Sequence, residues 1–185
     1  IYLSDLHLEF MKPKNRNNLL HKIGCHKNDV LVLAGDIGNP FKNYYREFLN
    51  SVSESFEKVF VICGNHEYYH NSISETQIQF KEITNQCNVT GLLNESVMYN
   101  GHKFIGTTLW SRVSGKTEIN DTHLISGMTF QKYNQMHSSA LTFLHDELVT
   151  DEKSIVITHH LPSKSLIDKK YKRDAGGINE CLLPM

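Results

Sequence analysis

The sequence predicts an α/β fold in which parallel strands present a polar site at their carboxyl ends. Two observations lead there. Short β-rich apolar runs alternate with segments of helical periodicity, and four of the runs end in a polar cluster. Ile1-Tyr2-Leu3 leads into Ser4-Asp5-Leu6-His7, and Val30-Leu31-Val32-Leu33 into Ala34-Gly35-Asp36. Val59-Phe60-Val61-Ile62-Cys63 leads into Gly64-Asn65-His66-Glu67, and Ile155-Val156-Ile157 into Thr158-His159-His160. In an open α/β sheet the carboxyl ends of neighbouring strands share one edge, where ligands collect. Clusters far apart in sequence are therefore expected to meet in space.

The elements follow in order. Residues 13–27 carry a weak amphipathic helix with Leu19, Leu20 and Ile23 inward, closing near Gly24, before the strand that starts at Val30. Over residues 40–55, Phe41, Tyr44, Tyr45, Phe48, Leu49 and Val52 recur at helical spacing, and Pro40 suits the first turn. Val59 to Cys63 is continuously apolar, as expected of a parallel strand covered on both faces. A third helix spans 72–86, with Ile73, Gln77, Phe80 and Ile83 or Thr84 on one side. Short strands are predicted for Val89–Leu93, Val97–Tyr99 and Lys103–Leu109, with Asn100-Gly101 as a hairpin turn between the last two. Residues 111–129 are polar and aperiodic and read as a long loop. A helix over 130–149, with Phe130, Tyr133, Ala140, Leu141, Leu144 and Leu148 on one stripe, hands over to the strand 154–158.

A chain of 185 residues, 39% hydrophobic and 21% charged, fits one globular domain, 1–185, with its own core. Lys plus Arg number 19 against 20 for Asp plus Glu, a formal net charge of -1, so no bulk field draws nucleic acid or a membrane surface. No apolar run approaches the ~20 residues that span a bilayer, and the start lacks a signal-peptide layout. A soluble, cytoplasmic protein is expected. The four cysteines, Cys25, Cys63, Cys87 and Cys181, form no C-x-x-C pair and read as reduced thiols. The first strand is short and no closing strand follows residues 178–185, so the domain is expected to be truncated at both ends.

The clusters carry metal chemistry. Asp5 and His7 stand two residues apart just past a strand, where extended geometry would send both side chains to one side. Asp36 follows a glycine at a strand end, and Gly64 lets backbone approach closely beside Asn65. Asn65 offers an amide oxygen to a hard cation while His66 stays free as an acid or hydrogen-bond donor. His159 and His160 point different ways at a strand end, so only one of them is expected to be a ligand, while the other packs or hydrogen-bonds nearby. The donors are oxygen and nitrogen without thiolate, which favours Mn, Fe or Zn. Two such ions ~3.5–4 Å apart, bridged by a carboxylate, would share a hydroxide nucleophile and clamp an in-line displacement at phosphorus.

Asp5-x-His7, Gly35-Asp36, Gly64-Asn65-His66-Glu67 and Thr158-His159-His160-x-Pro162, in this order, resemble the calcineurin-like metallophosphoesterases. Ile105 to Ser111 and Ile119-Asn120-Asp121 resemble stretches of a microbial branch of that family. The resemblance implies a two-sheet α/β sandwich flanked by helices, here lacking its last strands. It implies a binuclear-metal phosphoester hydrolase acting on a phosphorylated substrate. Asp5 and His7 would ligate the first metal, Asp36 would bridge, and Asn65 and His159 would ligate the second. His66 would protonate the leaving alcohol or stabilise the phosphate. Glu67, His70 and His160 are candidates for a supporting or substrate-facing role. So is Asn39, which stands three residues after Asp36, where phosphatases of the calcineurin type carry an aspartate paired with the acid histidine.

A second departure is the family's downstream Gly-His-x-His motif, which supplies one further ligand to each metal. Gly101-His102-Lys103-Phe104 matches it only in part and lies upstream of His159. Two other readings accompany the hydrolase. One is a non-catalytic scaffold that keeps the fold while its site decays. The other is a zinc protease, since His66-Glu67-Tyr68-Tyr69-His70 satisfies H-E-x-x-H; Glu67→Gln would abolish proteolysis, whereas a phosphoesterase would depend far more on Asp36. With one ligand fewer at each ion, the 185-residue chain is expected to bind metal weakly and to be at best weakly active. Retention of two ions per chain, with hydrolysis at an ordinary enzymatic rate, would refute that expectation.

Overall fold

The computed structural model describes residues 1–24, 26–113, 118–149 and 152–166. Strands β1 (Tyr2–Leu3), β2 (His26–Ala34), β3 (Phe56–Ile62) and β4 (Thr90–Leu92) form a parallel sheet in that spatial order. A second sheet holds β5 (Glu95–Tyr99), β6 (His102–Thr107) and β7 (Ser154–Thr158), with β5 antiparallel and β7 parallel to β6. The helices are α1 (Pro13–Ile23), α2 (Asn43–Ser55), α3 (Ile73–Gln86), α4 (Asp121–Leu124) and α5 (Phe130–Leu148).

Strand alternation sorts the core into layers. Leu31, Leu33, Val59, Val61 and Cys63 share a cluster with Tyr45, Phe48, Leu49 and Val52 of α2 and Phe80 and Ile83 of α3. The intervening residues, Val30, Val32, Phe60 and Ile62, turn to the other face and meet Leu92, Phe104 and Ile157 between the sheets. There the Phe60 and Phe104 rings stack with centroids 4.1 Å apart. Beyond the second sheet, Ile105 packs with Leu109, Ala140 and Leu144. The result is the expected α/β sandwich of two sheets flanked by helices. Burial on both faces accounts for the unbroken apolar run in β3.

Local signals place most element ends. Pro13 opens α1, Ser72 and Glu75 form a reciprocal capping box on α3, and the Thr129 side chain accepts the Lys132 N–H at the start of α5. Asn100 (φ 48°) and Gly101 (φ 73°) take the left-handed conformations of a tight hairpin turn.

Three expectations need correction. β2 begins at His26, because a register irregularity between His26 and Val30 carries polar residues that give no apolar signal. α2 begins at Asn43, not at Pro40: Asn39 accepts the Lys42 N–H on its carbonyl and the Phe41 N–H on its side chain, so Pro40 sits in a turn and Phe41 is exposed. The predicted loop 111–129 contains α4 and a strand-like bridge from Ser126 to Ser72. A four-residue helix is too short to show periodicity.

Cys63 and Cys87 are free and buried; Cys25, Cys181 and the segment 178–185 lie outside the described residues. Among the described residues β7 is an edge strand, and no helix is long and apolar enough to cross a membrane.

Past the strand ends the backbone is tied loop to loop. The N–H groups of Asp5, His7 and Leu8 donate to the carbonyls of Gly35, Asp36 and Ile37 at 3.1, 3.0 and 2.9 Å. Asp5 (φ 54°), His7 (φ 47°) and Asp36 (φ 54°) are all left-handed. Asp5 and His7 are therefore brought together by consecutive turns against the neighbouring loop, not by the extended alternation expected from their spacing. Glu67 closes the arrangement from β3. Its side chain is fully buried; Oε2 accepts the N–H groups of Asp36 (2.9 Å) and Gly64 (2.7 Å), and Oε1 those of Ile37 (2.7 Å) and Gly38 (3.3 Å).

Two stability measurements follow from this packing. A Cβ on Gly106 would stand 2.4 Å from the Leu92 Cβ and 2.8 Å from Ile62, so Gly106→Ala is expected to cost ~1–3 kcal/mol in equilibrium denaturation by overpacking the sheet interface. Glu67→Gln turns an NH2 group toward one pair of amide donors, and at ~1–3 kcal/mol for each amide left unpaired it is expected to lower unfolding free energy by at least ~2 kcal/mol. An unchanged denaturation midpoint in either variant would contradict the corresponding contact.

Candidate metal centre

Asp36 occupies the centre. It is 3% exposed, and its Oδ1 accepts the His66 backbone N–H at 2.9 Å. The same oxygen lies 3.4 Å from His159 Nε2, whereas Oδ2 lies 3.8 Å from His7 Nε2 and 4.0 Å from His66 Nε2. The two carboxylate oxygens thus face two different groups of donors. On one side, ligand atoms of Asp5, His7 and Asp36 lie within 4.8 Å of one another. On the other, Asn65 Oδ1 is 3.2 Å from His159 Nε2.

The His159 side suits a cation. Its Nδ1 lies 3.0 Å from the Ala34 carbonyl, so Nδ1 carries the proton and Nε2 of the neutral ring is bare. That nitrogen faces two acceptor oxygens, of Asn65 and Asp36. Such a trio is stable only around positive charge. Burial opposes the charged ring, but the Asp36 hydrogen bond and charge hold its pKa up at about 9. A divalent ion would satisfy the same three atoms without the proton. Asp36 titrates lower than usual: burial opposes this, and His159 prevails. Two glycines keep the space clear. A Cβ on Gly64 would stand 2.2 Å from Asp36 Oδ1 and 2.8 Å from His159 Nε2, and one on Gly35 (φ 86°) 2.6 Å from the Gly64 nitrogen.

Asn65 is held by groups absent from the sequence-derived set. Its Nδ2 donates to Asp121 Oδ1 at 2.8 Å and to Tyr69 Oη at 3.1 Å, while the Tyr69 hydroxyl donates to the same Asp121 oxygen at 2.8 Å. With the amide nitrogen engaged there, Oδ1 is left to the His159 side. Glu9 was also missed. Its Oε1 lies 3.1 Å from His7 Nδ1 and 3.3 Å from His66 Nδ1. Burial works against a charged His66, but the Glu9 hydrogen bond and the Asp36 charge raise its pKa above the usual histidine value. A sequence signal for Glu9 existed in the regular two-residue spacing Asp5-x-His7-x-Glu9; Asp121 stood out only within the Ile119-Asn120-Asp121 resemblance, and its pairing with Asn65, 56 residues away, had no signal.

The remaining candidates lie elsewhere. Asn39 spends its side-chain oxygen on the Phe41 N–H. Glu67 is the buried clasp of the strand-end loops, where burial and then the Asp36 charge raise its pKa against the pull of its amide partners. His70 is exposed and left-handed (φ 68°), and its N–H donates to Leu124. His160 accepts the Ser111 N–H on Nδ1 at 3.0 Å, and its ring lies against Trp110. Desolvation, then the His159 charge, pushes its pKa down to about 3. His66 and Glu67 lie in a single 3₁₀ turn, His66–Tyr68, which ends before His70, so the H-E-x-x-H pattern lacks the shared α-helical face that zinc proteases use. Glu67→Gln is also no clean test between protease and phosphoesterase, because it unclasps the loops under either reading. His102, of the partial Gly-His match, is exposed at the opposite end of β6 from Thr107.

Comparison with known proteins agrees with this fold. An uncharacterized protein, L509, of Acanthamoeba polyphaga mimivirus is 32% identical over 187 residues, covering 87% of this chain and 67% of the relative. The crystal structure of a phosphopantetheinyl hydrolase from Mycobacterium tuberculosis superposes with a TM-score of 0.65 at 14% identity, over 89% of this chain and 68% of that one. That likeness is one of fold. The family description calcineurin-like phosphoesterase matches residues 1–181. The chain therefore belongs to the calcineurin-like phosphoesterase family.

Proposed function

We propose that the chain is a phosphoester hydrolase that works with two divalent cations. Asp5, His7 and Asp36 would hold one, and Asp36, Asn65 and His159 the other. The observation that carries this reading is the division of the Asp36 oxygens, one facing His159 and the other His7 and His66. When bound, such a pair of ions supplies a nucleophile at neutral pH and charge stabilisation at phosphorus.

The protein's own residues do the rest. The loops clasped by Glu67 hold Asp36 and Asn65 in fixed register, so the ligands are preorganised. Asp121 and Tyr69 orient the Asn65 amide. His66, with Nε2 on the Asp36 Oδ2 side and a raised pKa, donates a proton to the departing oxygen. The acid is partly exposed, as a group that meets substrate must be.

With Mn²⁺ or Zn²⁺ in excess, the chain is expected to hydrolyse p-nitrophenyl phosphate or bis-p-nitrophenyl phosphate, however slowly. Asp36→Asn is expected to lower turnover more than ~100-fold, since even outer partners of metal ligands are worth ~10–100-fold. It should also lower metal content measured by elemental analysis. Turnover independent of added metal, or unchanged in Asp36→Asn, would overturn the reading. A folded chain that binds metal but cleaves neither ester would favour the scaffold.

A further inference from the structure

The acid histidine of this site lacks the partner that related phosphatases supply. Asn39 stands at that position, and its side-chain oxygen is committed to the Phe41 N–H, within its own turn. A different carboxylate fills the need. Glu9, on the 3₁₀ turn Leu8–Phe10 that follows the β1 cluster, places Oε1 3.3 Å from His66 Nδ1. The same oxygen lies 3.1 Å from His7 Nδ1. Both imidazoles thus turn Nδ1 to one carboxylate and Nε2 toward Asp36 Oδ2, at 3.8 Å for His7 and 4.0 Å for His66.

We propose that Glu9 is the positioning residue for His66, standing in from the β1 loop for the aspartate absent at Asn39. By accepting the Nδ1 proton it fixes the ring's tautomer and angle, so that Nε2 is the nitrogen presented to the substrate. Two further observations bear on the pair. The second Glu9 oxygen is buried with no hydrogen-bond partner among the described residues. The Tyr69 ring covers His66 with centroids 4.2 Å apart and limits its rotation. The Glu9 contact to His7 gives the carboxylate a second duty, which the test must separate.

The inference rests on the acid role proposed for His66, and the experiment has one arm independent of it. In metal-free protein, long-range ¹H–¹⁵N spectra should show the neutral His66 ring protonated at Nδ1. Glu9→Ala should shift it to a mixture of tautomers, and Glu9→Gln, which keeps an acceptor oxygen, should restore the wild-type pattern. An unchanged tautomer in Glu9→Ala overturns the proposal whatever the activity. In the kinetic arm, with Mn²⁺, Glu9→Ala should slow both esters through its contact with His7, and should slow a phosphoester with an alkyl leaving group at least ~10-fold more than a p-nitrophenyl ester, because only the poor leaving group needs a proton. Glu9→Gln should recover much of that difference, and the leaving-group dependence of His66→Ala combined with Glu9→Ala should be no larger than that of His66→Ala alone. Equal loss on both esters would mean that Glu9 acts through His7 and the metal, and would overturn the assignment to His66. If the wild-type chain cleaves neither ester, the functional reading fails, and the spectra alone decide whether Glu9 sets the His66 tautomer.

Discussion

One buried carboxylate organises the functional end of this protein. Glu67, in the 3₁₀ turn that follows β3, accepts four backbone amides, three from the loop after β2 and one from its own loop. Those amides belong to buried residues just past the strand ends. Without an internal acceptor each would be a buried, unpaired donor. The loop after β1 then ties to the same stretch through Gly35, Asp36 and Ile37. A single side chain thereby fixes the relative positions of three strand ends, and the geometry around Asp36 depends on it.

The fourth strand end arrives by another route. β7 belongs to the second sheet, and it reaches the site because the two sheets stack through Phe60, Ile62, Leu92, Phe104 and Ile157. Gly106 permits that approach, since any side chain there would meet Leu92 and Ile62. Thr108 adds a polar tie across the gap, its hydroxyl donating to the Cys63 carbonyl at 2.7 Å. His159 can then bond Ala34, the last residue of β2, although 125 residues separate them in the chain.

Much of the fold was legible because it is built on strong periodic signals. The β3 run, the α5 stripe and the Asn100-Gly101 turn each reflect a local physical rule, and each stands in the structure close to its expected place. The departures fall where local rules were silent. The polar start of β2 lacks an apolar pattern, Pro40 is overridden by an Asn39-centred turn, and α4 is too short for a stripe. In the site, Asp36, Asn65 and His159 stood out because each follows a strand. Glu67 was legible as a residue but not in its job, which is a contact with backbone that composition cannot reveal. Glu9 and Asp121 act only through histidine and amide partners brought near by the fold, and the Asp121 contact spans sequence distances that no motif encodes.

The left-handed backbone at Asp5, His7 and Asp36 carries a consequence for how the protein folds. Such conformations cost of order 1 kcal/mol or more for residues other than glycine. Here they are held by hydrogen bonds that exist only once β1, β2 and β3 lie side by side. Parallel pairing between distant segments is also the slowest kind of contact to form. The strand-end loops therefore take this shape only after the parallel strands have paired. A chain whose strands have not yet paired lacks the backbone ties that bring Asp5, His7 and Asp36 together.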